Sequence, residues 1–137
     1  MIKRILLVLI VLALLGSYIG YQMYNKPHQN VSAARAAVQL TADALLNAFK
    51  ENEGEASIKF INKVIEVSGN IADSKNENNQ IIIQIETTDV MSTVICNLDS
   101  SETSDRKNFK IGDSIRIKGI CSGYLSDVIL DRCVVTN

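Results

Sequence analysis

The sequence predicts a mainly β domain that follows a transmembrane helix and one or two further α-helices. Beyond residue 62, apolar and polar residues alternate in short runs, which is the pattern of half-buried strands. Clusters of Asn, Asp, Ser and Gly separate these runs, as turns separate the strands of a small β domain. At the N-terminus, an apolar run with only small, aromatic or weakly polar interruptions is long enough for a bilayer.

The composition of the 137-residue chain excludes several classes of protein. With 47% hydrophobic residues it is too apolar for a disordered chain, and its length suits one folded domain. The 14 basic and 15 acidic residues nearly balance, which argues against a strongly basic nucleic-acid binder. One His and three Cys leave little material for a catalytic centre.

Residues 1–24 are predicted to be a transmembrane anchor. Lys3 and Arg4 precede Ile5–Leu15, which is entirely apolar, and small or aromatic residues extend the run to Tyr24. The 20 residues from Ile5 to Tyr24 span about 30 Å as a helix, the thickness of the bilayer core. The positive-inside rule leaves the N-terminus in the cytoplasm. We therefore expect a single-pass protein of the bacterial cell membrane with a periplasmic or extracellular domain.

A cleaved signal peptide is the alternative, since it also has a basic and an apolar region. Cleavage after Gly16 would place Leu14 at the third position before the cut, and cleavage after Gly20 would place Tyr18 there. Neither residue is small. No Cys lies directly after the apolar run, so a lipoprotein processing site is also missing. We expect an uncleaved anchor, and the cleaved form stays open.

Residues 25–31 are predicted to be a polar juxtamembrane linker, in which Pro27 ends any helix. Setting aside Lys3, Arg4 and Lys26 leaves 11 basic against 15 acidic residues. The exported part therefore carries a net charge of about −4, the wrong sign for contacts with phosphates.

Residues 32–62 are predicted to be a helical segment that packs on the barrel. Residues 32–40 are rich in Ala, the best helix former, and Thr41 is a suitable N-cap for a helix over residues 42–51. The pattern then breaks, and residues 55–61 form another turn or two. The apolar residues expected to pack are Leu45, Leu46, Phe49, Ala56 and Phe60.

Residues 63–137 contain five runs with the alternation of strands, and a longer insertion separates the third from the fourth. The predicted strands are 63–71, 80–87, 92–98, 114–121 and 128–135. Five strands with this connection fit a small closed Greek-key barrel of the OB-fold type, in which Gly69 and Gly119 let two strands bend sharply. An SH3-like barrel has a similar strand count and is the alternative.

Several segments of the chain resemble a known family. They are Thr41–Glu55, Phe60–Gly69, Lys110–Asp113 with Ile117–Gly123, and Asp127–Cys133. The most specific parts are Lys-Val-x-x-Val-Ser-Gly, ending at Gly69, and Gly-Asp-x-x-x-x-Lys-Gly-x-Cys-x-Gly, ending at Gly123. Over about residues 38–136 the chain is similar to the tRNA_anti-like family of bacterial OB-fold proteins.

The resemblance implies an OB fold in a small exported or membrane-attached protein, from a family of undetermined function. The family name reflects likeness to the anticodon-binding domain of aminoacyl-tRNA synthetases, which concerns the fold and does not transfer function. Many members resemble lipoproteins, and this chain differs because no Cys follows its apolar run.

The three cysteines, Cys96, Cys121 and Cys133, show no C-x-x-C spacing, and a zinc site would need a fourth ligand. We therefore expect no metal. An exported domain permits disulfides, and all three side chains are expected to face inward. The prediction is a disulfide between Cys121 and Cys133 on the last two strands. Pairing of Cys96 with either one, and three free thiols, are the alternatives.

No arrangement of residues points to catalysis. His28 has no adjacent nucleophile, and the sequence contains no Gly-rich phosphate loop. Asp99, Glu102 and Asp105 lack the glycine and the spacing of a calcium loop. We expect a protein without enzymatic activity and without a cofactor.

The binding surface of an OB barrel lies on its second and third strands and the adjoining loops, where aromatic and basic side chains hold single strands. The outward residues of these strands are Ile82, Gln84, Glu86, Thr93, Ile95 and Asn97. This set contains no aromatic residue and no cation, so nucleic-acid binding is disfavoured and stays the alternative function.

The predicted ligand-binding residues are Ile82, Gln84, Thr93, Ile95 and, in the last turn, Tyr124, for which a capping contact is the alternative. The predicted function is a membrane-tethered, non-catalytic binding or interaction module of the cell envelope. Its partner would be an envelope protein, a glycan or a small ligand, in addition to the membrane that holds its N-terminal helix.

Overall fold

A computed structural model describes residues 2–24, 31–78, 80–100, 102 and 109–136, and for the first helix the side chains of residues 11–22. The helices are α1 (Ile2–Tyr24), α2 (Ala42–Glu51) and α3 (Glu53–Phe60). The strands are β1 (Val38–Thr41), β2 (Val64–Glu77), β3 (Gln80–Ile85), β4 (Val94–Leu98), β5 (Ser114–Tyr124) and β6 (Val128–Val135). Among the residues so described, no helix is long and apolar enough to cross a membrane.

Strands β2 to β6 form a closed barrel in the order β2-β3-β4-β6-β5, and the pairing of β5 with β2 closes it. β4 and β6 run parallel, whereas the other neighbours in the barrel are antiparallel. This is the Greek-key arrangement of a five-stranded OB fold. The predicted mainly β class and the five predicted barrel strands are therefore confirmed.

β2 is longer than predicted: the predicted strand ends at residue 71, and most of the polar residues before the second predicted strand belong to β2 and not to a turn. β2 continues to Glu77 because its second half pairs with β3 in a hairpin that begins with Ile71 opposite Ile85. Asn78 then starts the turn with a φ of 50°. This half of β2 consists mostly of polar residues of the kind found in turns. Its backbone is nevertheless extended, because it pairs with β3.

The predicted helix over residues 32–40 is also wrong. The chain makes a turn and then enters β1, Val38–Thr41, which runs parallel to the first half of β2. The Nζ of Lys118 donates hydrogen bonds to the backbone carbonyls of Ser32 and Ala34, both at 2.9 Å. These tertiary hydrogen bonds replace those of a helix, and they override the high helix propensity of alanine.

Helices α2 and α3 close one end of the barrel, and their predicted cap and packing residues are confirmed. The hydroxyl of Thr41 accepts a hydrogen bond from the backbone N–H of Ala44 at 3.2 Å, which caps α2. The side chain of Asn52 caps α3 in the same way by accepting from the N–H of Glu55. The buried residues of the two helices are Ala42, Leu45, Leu46, Phe49, Ala56 and Phe60.

The barrel core consists of the inward residues of the alternating strands. They are Ile65, Val67, Ile71, Ile81, Ile83, Ile85, Val94, Cys96, Leu98, Ile115, Ile117, Cys121, Val128, Leu130 and Cys133. Gly69 leaves room for the side chain of Ile85 on β3, because a Cβ at this position would overlap it. The pairing of β2 becomes irregular just beyond this glycine, between Ile71 and Asp73.

Candidate functional site

Neighbouring strands β3, β4 and β6 present a small apolar patch on the outside of the barrel. Its residues are Ile82, Gln84, Ile95, Asn97 and Ile129, hereafter the outer patch, and all are half-buried. Gln84 lies opposite Ile95, and Ile95 lies beside Ile129 across the parallel β4–β6 pair. Ile82 lies opposite Asn97. Three aliphatic side chains and two amides therefore share one face.

Hydrogen bonds and an ion pair hold the polar residues around the outer patch. The carboxylate of Asp131 accepts a hydrogen bond from the amide of Asn97 at 2.7 Å and another from the hydroxyl of Ser122. On the other side, Lys75 lies 3.4 Å from Asp73, to which it is paired. The polar side chains at the rim of the patch are therefore held in place, as in a surface that binds a partner.

Thr93 and Tyr124, two predicted site residues, serve the packing of the barrel end. The backbone N–H and the hydroxyl of Thr93 donate to one carboxylate oxygen of Asp127, at 2.6 and 3.1 Å. This ties the β3–β4 loop to the β5–β6 turn. The ring of Tyr124 stacks on Phe49 of α2, with centroids 5.1 Å apart. The structure brings Ile82, Gln84 and Ile95 together and directs Tyr124 to α2.

Ile129 is the patch residue that sequence reasoning missed. The alternation of β6, with Val128 and Leu130 buried, does place Ile129 outward. Its position beside Ile95 depends on the pairing of β4 with β6, which are separated by all of β5 along the chain. Periodicity identifies the face of one strand, but it does not identify the neighbouring strand.

The outer patch lacks the side chains with which OB barrels hold single strands. Strands β3 and β4 contain no aromatic residue, Lys or Arg, so they offer no stacking platform and no cation for phosphate. The charged residues beside the patch include the carboxylates of Asp73 and Asp131 and the ammonium group of Lys75, which lies opposite Ile82 and is paired with Asp73.

A polar groove of about 440 Å³ lies where α2 begins, between β2 and the end of β3. It is lined by Thr41, Ala42, Asp43, Ser68, Gly69, Asn70, Glu86, Thr87, Thr88 and Ser114. Asp43 accepts hydrogen bonds from the N–H and the hydroxyl of Thr88, at 2.6 and 3.0 Å, and so anchors the β3–β4 loop to α2. The lining contains two carboxylates, Asp43 and Glu86, and no cation, so its charge disfavours anionic ligands.

The three cysteines are buried free thiols, so the predicted Cys121–Cys133 disulfide is not formed in the structure. Burial raises the pKa of the Cys121 thiol from 9.0 to about 11, against a smaller lowering by a hydrogen bond with the backbone of Gly123. A thiol with such a pKa is a weak nucleophile at neutral pH.

Within the described part of the chain, no group of three or more His, Cys, Asp and Glu residues is arranged to hold a metal ion. Asp99 and Glu102 are joined by a backbone hydrogen bond of 3.0 Å, in which the N–H of Glu102 donates. His28, Asp105 and residues 25–30 of the predicted linker lie outside the described residues.

The chain matches one family model and is similar in fold to several solved structures. The family whose model matches is tRNA_anti-like, over residues 1–135. No curated protein matches the chain. Among solved structures, a candidate nucleic acid-binding lipoprotein from Klebsiella pneumoniae is 18% identical with a TM-score of 0.58, over 82% of this chain and 100% of that one. At that identity the likeness concerns the fold.

Two further solved structures are more distant. An OBody bound to hen egg-white lysozyme is 12% identical with a TM-score of 0.45, over 58% of this chain and 86% of that one. A candidate aspartyl-tRNA synthetase from Leishmania major is 6% identical with a TM-score of 0.48, over 88% of this chain and 26% of that one.

Proposed function

Because the chain belongs to the tRNA_anti-like family of OB-fold proteins, we propose that it is a membrane-tethered, non-catalytic module that binds a protein of the bacterial cell envelope. The observation that carries the proposal is the convergence of Ile82, Ile95 and Ile129 on one outward face. These half-buried aliphatic side chains from three strands leave some apolar area that a partner would remove from water.

The composition of the outer patch favours a protein over the other candidate partners. Protein interfaces combine an apolar centre with a polar rim that supplies hydrogen bonds. The three isoleucines supply the centre, and the amides of Gln84 and Asn97 can each donate and accept. A base would require an aromatic surface for stacking, which β3 and β4 do not offer.

The proposed tether rests on the sequence of the N-terminal segment, because no helix among the described residues is long and apolar enough to cross a membrane. α1 runs over the 23 residues Ile2–Tyr24 and contains the apolar run, with Lys3 and Arg4 before it. Where its side chains are described, Leu12, Leu14 and Leu15 are 60%, 66% and 52% exposed. Leucines this exposed on one helix favour a lipid environment, and the two cations favour a cytoplasmic N-terminus with the barrel outside.

Nucleic-acid binding is the second candidate, favoured by the name of the Klebsiella lipoprotein that shares the fold. Binding of that kind would weaken steeply with salt, because phosphate contacts release counterions. The lack of aromatic and basic side chains on β3 and β4 argues against it. Single-stranded DNA or RNA that bound to the full chain with a steep salt dependence would favour this second function.

A photo-crosslinking amino acid at Ile95 is expected to trap a discrete protein adduct of the full chain in its native membrane. The matched position is Ile58, an isoleucine of α3 that is 80% exposed and far from β3 in the chain, where no such adduct is expected. Ile82→Glu should reduce the adduct at position 95 by about tenfold or more, since a charge would be buried in the interface.

Two outcomes of that experiment would contradict the protein-partner proposal. Equal adducts at positions 95 and 58 would show nonspecific contact. An adduct at position 95 that disappears on nuclease treatment would show nucleic acid in place of a protein.

The full chain is expected to stay with membranes through an alkaline carbonate wash and to be released by detergent. Replacing Leu12 and Leu15 together by Arg should shift most of the protein out of the membrane fraction, since each Arg costs about 2.5–3.5 kcal/mol at the centre of a spanning helix. The Leu12→Ala, Leu15→Ala double variant is the control and should remain with the membranes. Wild-type protein that is recovered free of membranes would exclude the tether.

A further inference from the structure

Three exposed apolar side chains lie on two neighbouring loops at one end of the barrel. We propose that Val90 and Met91 of the β3–β4 loop and Leu125 of the β5–β6 turn, hereafter the apolar tip, insert into the interface of a lipid bilayer. The inference rests on the proposed membrane tether, which brings a bilayer within reach. It adds a second membrane contact, made by the barrel itself.

The apolar tip is far more exposed than the outer patch. Val90, Met91 and Leu125 are 98%, 85% and 91% exposed, whereas the isoleucines of the outer patch are half-buried. Side chains with that exposure have almost no contact with the rest of the protein. Single exposed apolar residues are common on protein surfaces, but several of them together mark a surface that binds something apolar.

Hydrogen bonds hold the two loops side by side. Thr93, at the end of the β3–β4 loop, donates from its N–H and its hydroxyl to Asp127 of the β5–β6 turn. The N–H of Val128 donates to the carbonyl of Thr93 at 3.1 Å, and the N–H of Leu125 donates to the carbonyl of Asp127 at 3.3 Å. The three apolar side chains therefore belong to one joined structure.

Several polar groups of the β3–β4 loop have partners within the protein. The carboxylate of Asp89 is paired with Lys50 of α2 and accepts a hydrogen bond from the N–H of Met91 at 2.8 Å. The hydroxyl of Thr87 donates to the backbone carbonyls of Asp89 and Ser92. Contact with hydrocarbon favours such an arrangement, because a polar group that is buried there without a partner is costly.

The length of the chain between α1 and the barrel places a bilayer within reach of the apolar tip. Val31 is buried against the barrel, where Ile120 of β5 packs on it. It follows Tyr24, the last residue of α1, by seven residues, which span at most about 25 Å. Leu125 follows Ile120 by five residues, or about 17 Å along β5. A bilayer that contains α1 can therefore touch the apolar tip.

A bilayer fits the apolar tip better than a protein does. A protein interface combines an apolar centre with a polar rim that supplies hydrogen bonds, whereas the carboxylates of Asp89 and Asp127 beside the tip are already bonded within the protein. The pairing of Lys50 with Asp89 also offsets a charge that anionic headgroups would repel. Protruding aliphatic side chains can enter the boundary between headgroups and acyl chains, to a depth of about 5–10 Å.

The test uses the full chain reconstituted in phosphatidylcholine vesicles that contain lipids spin-labelled near the headgroup. An environment-sensitive fluorophore is attached through Met91→Cys or, separately, through Leu125→Cys. The native cysteines are buried, so the wild-type chain should take up little label and serves as the labelling control. At both positions the spin label should reduce the fluorescence by about twofold or more, because the fluorophore lies in the bilayer interface.

Ile111→Cys is the matched control position. Ile111 is 72% exposed and precedes β5, at the end of that strand opposite Leu125. A fluorophore there should stay in water and lose less than about a tenth of its intensity. The double variant Val90→Ser, Leu125→Ser should reduce the quenching at position 91 to the level at position 111, and an unchanged Tm would show that the barrel is still folded.

Three outcomes would overturn the proposal. Equal quenching at positions 91, 125 and 111 would show that no end of the barrel is preferred. Fluorophores at positions 91 and 125 that are not quenched would show that the tip stays in water. A photo-crosslinker at position 91 that traps a protein in native membranes, without quenching in vesicles, would assign the tip to a protein partner.

The alkaline carbonate wash distinguishes failure of this proposal from failure of the tether. A chain that stays with the membranes but shows no quenching at positions 91 and 125 is tethered without an inserted tip. A chain that the wash releases has no spanning anchor, which contradicts both proposals.

Discussion

Replacing Phe49 by alanine is expected to lower the free energy of unfolding by about 3–5 kcal/mol. Phe49 is 1% exposed and joins three parts of the molecule. From α2 its ring stacks on Tyr124 of β5 with centroids 5.1 Å apart, and it tilts against Phe60 of α3 at 5.9 Å. Alanine would leave a cavity among well-packed rings, and neither neighbour can collapse into it without leaving its own helix or strand.

Urea unfolding of the full chain in detergent, followed by far-ultraviolet circular dichroism, measures this change. Ile58→Ala is the matched control, because Ile58 lies in the neighbouring helix but is 80% exposed, and its truncation should cost less than about 0.5 kcal/mol. A loss below about 1 kcal/mol for Phe49→Ala would show that α2 does not pack on the barrel as described.

The role of Tyr124 can be read from the same measurement. Tyr124→Phe keeps the ring that stacks on Phe49 and should leave both stability and the adduct at Ile95 unchanged. Loss of the adduct at full stability would instead return Tyr124 to the binding surface.

Gly119→Ala is the second substitution expected to destabilise strongly, by about 1–3 kcal/mol. A Cβ at this position would lie 2.5 Å from the sulfur of Cys133 and 3.3 Å from both the carbonyl oxygen of Asp131 and the Cβ of Leu130. All of these atoms belong to β6, whose backbone is held on both sides by β4 and β5. The strand cannot retreat without losing hydrogen bonds of the closed barrel.

Gly123→Ala, in the same strand, is the control. A Cβ at Gly123 meets nothing within 4 Å and its φ is not positive, so the change should be neutral or slightly stabilising. Combining Gly119→Ala with Cys133→Ala removes the sulfur and should recover part of the loss, in the manner of a double-mutant cycle. Equal stability for Gly119→Ala and Gly123→Ala would contradict the close approach of β5 and β6.

Elements whose signals are local were predictable from the sequence. The hydroxyl of Thr41 and the buried face of α2 are set within one or two helical turns, so capping preference and periodicity suffice to locate them. The inward residues of β3 and β4 likewise follow from an alternation with a period of two. Ile82, Gln84 and Ile95 were found because they are the other half of that alternation.

Elements held by distant partners were not predictable in this way. Val38–Thr41 follows an alanine-rich stretch and becomes a strand because β2 offers it hydrogen bonds. Cys133 was expected to face inward and does so, but its orientation comes from a bulge at Arg132 and not from the strict alternation of β6. Tyr124 was predicted to bind a ligand because it lies in a turn. Its ring instead stacks on Phe49, a residue far away in the chain.

By itself, then, the amino-acid order determined the class of the fold, the number of barrel strands, their inward faces and the family, since each depends on spacing over a few residues. The tertiary structure decided which strands are neighbours. Closure of the barrel puts β6 beside β4, and this adjacency adds Ile129 to the outer patch and places Cys133 opposite Leu98. The physical reason is that the periodicity of a strand depends on which of its faces is buried, whereas strand pairing depends on contacts between distant parts of the chain.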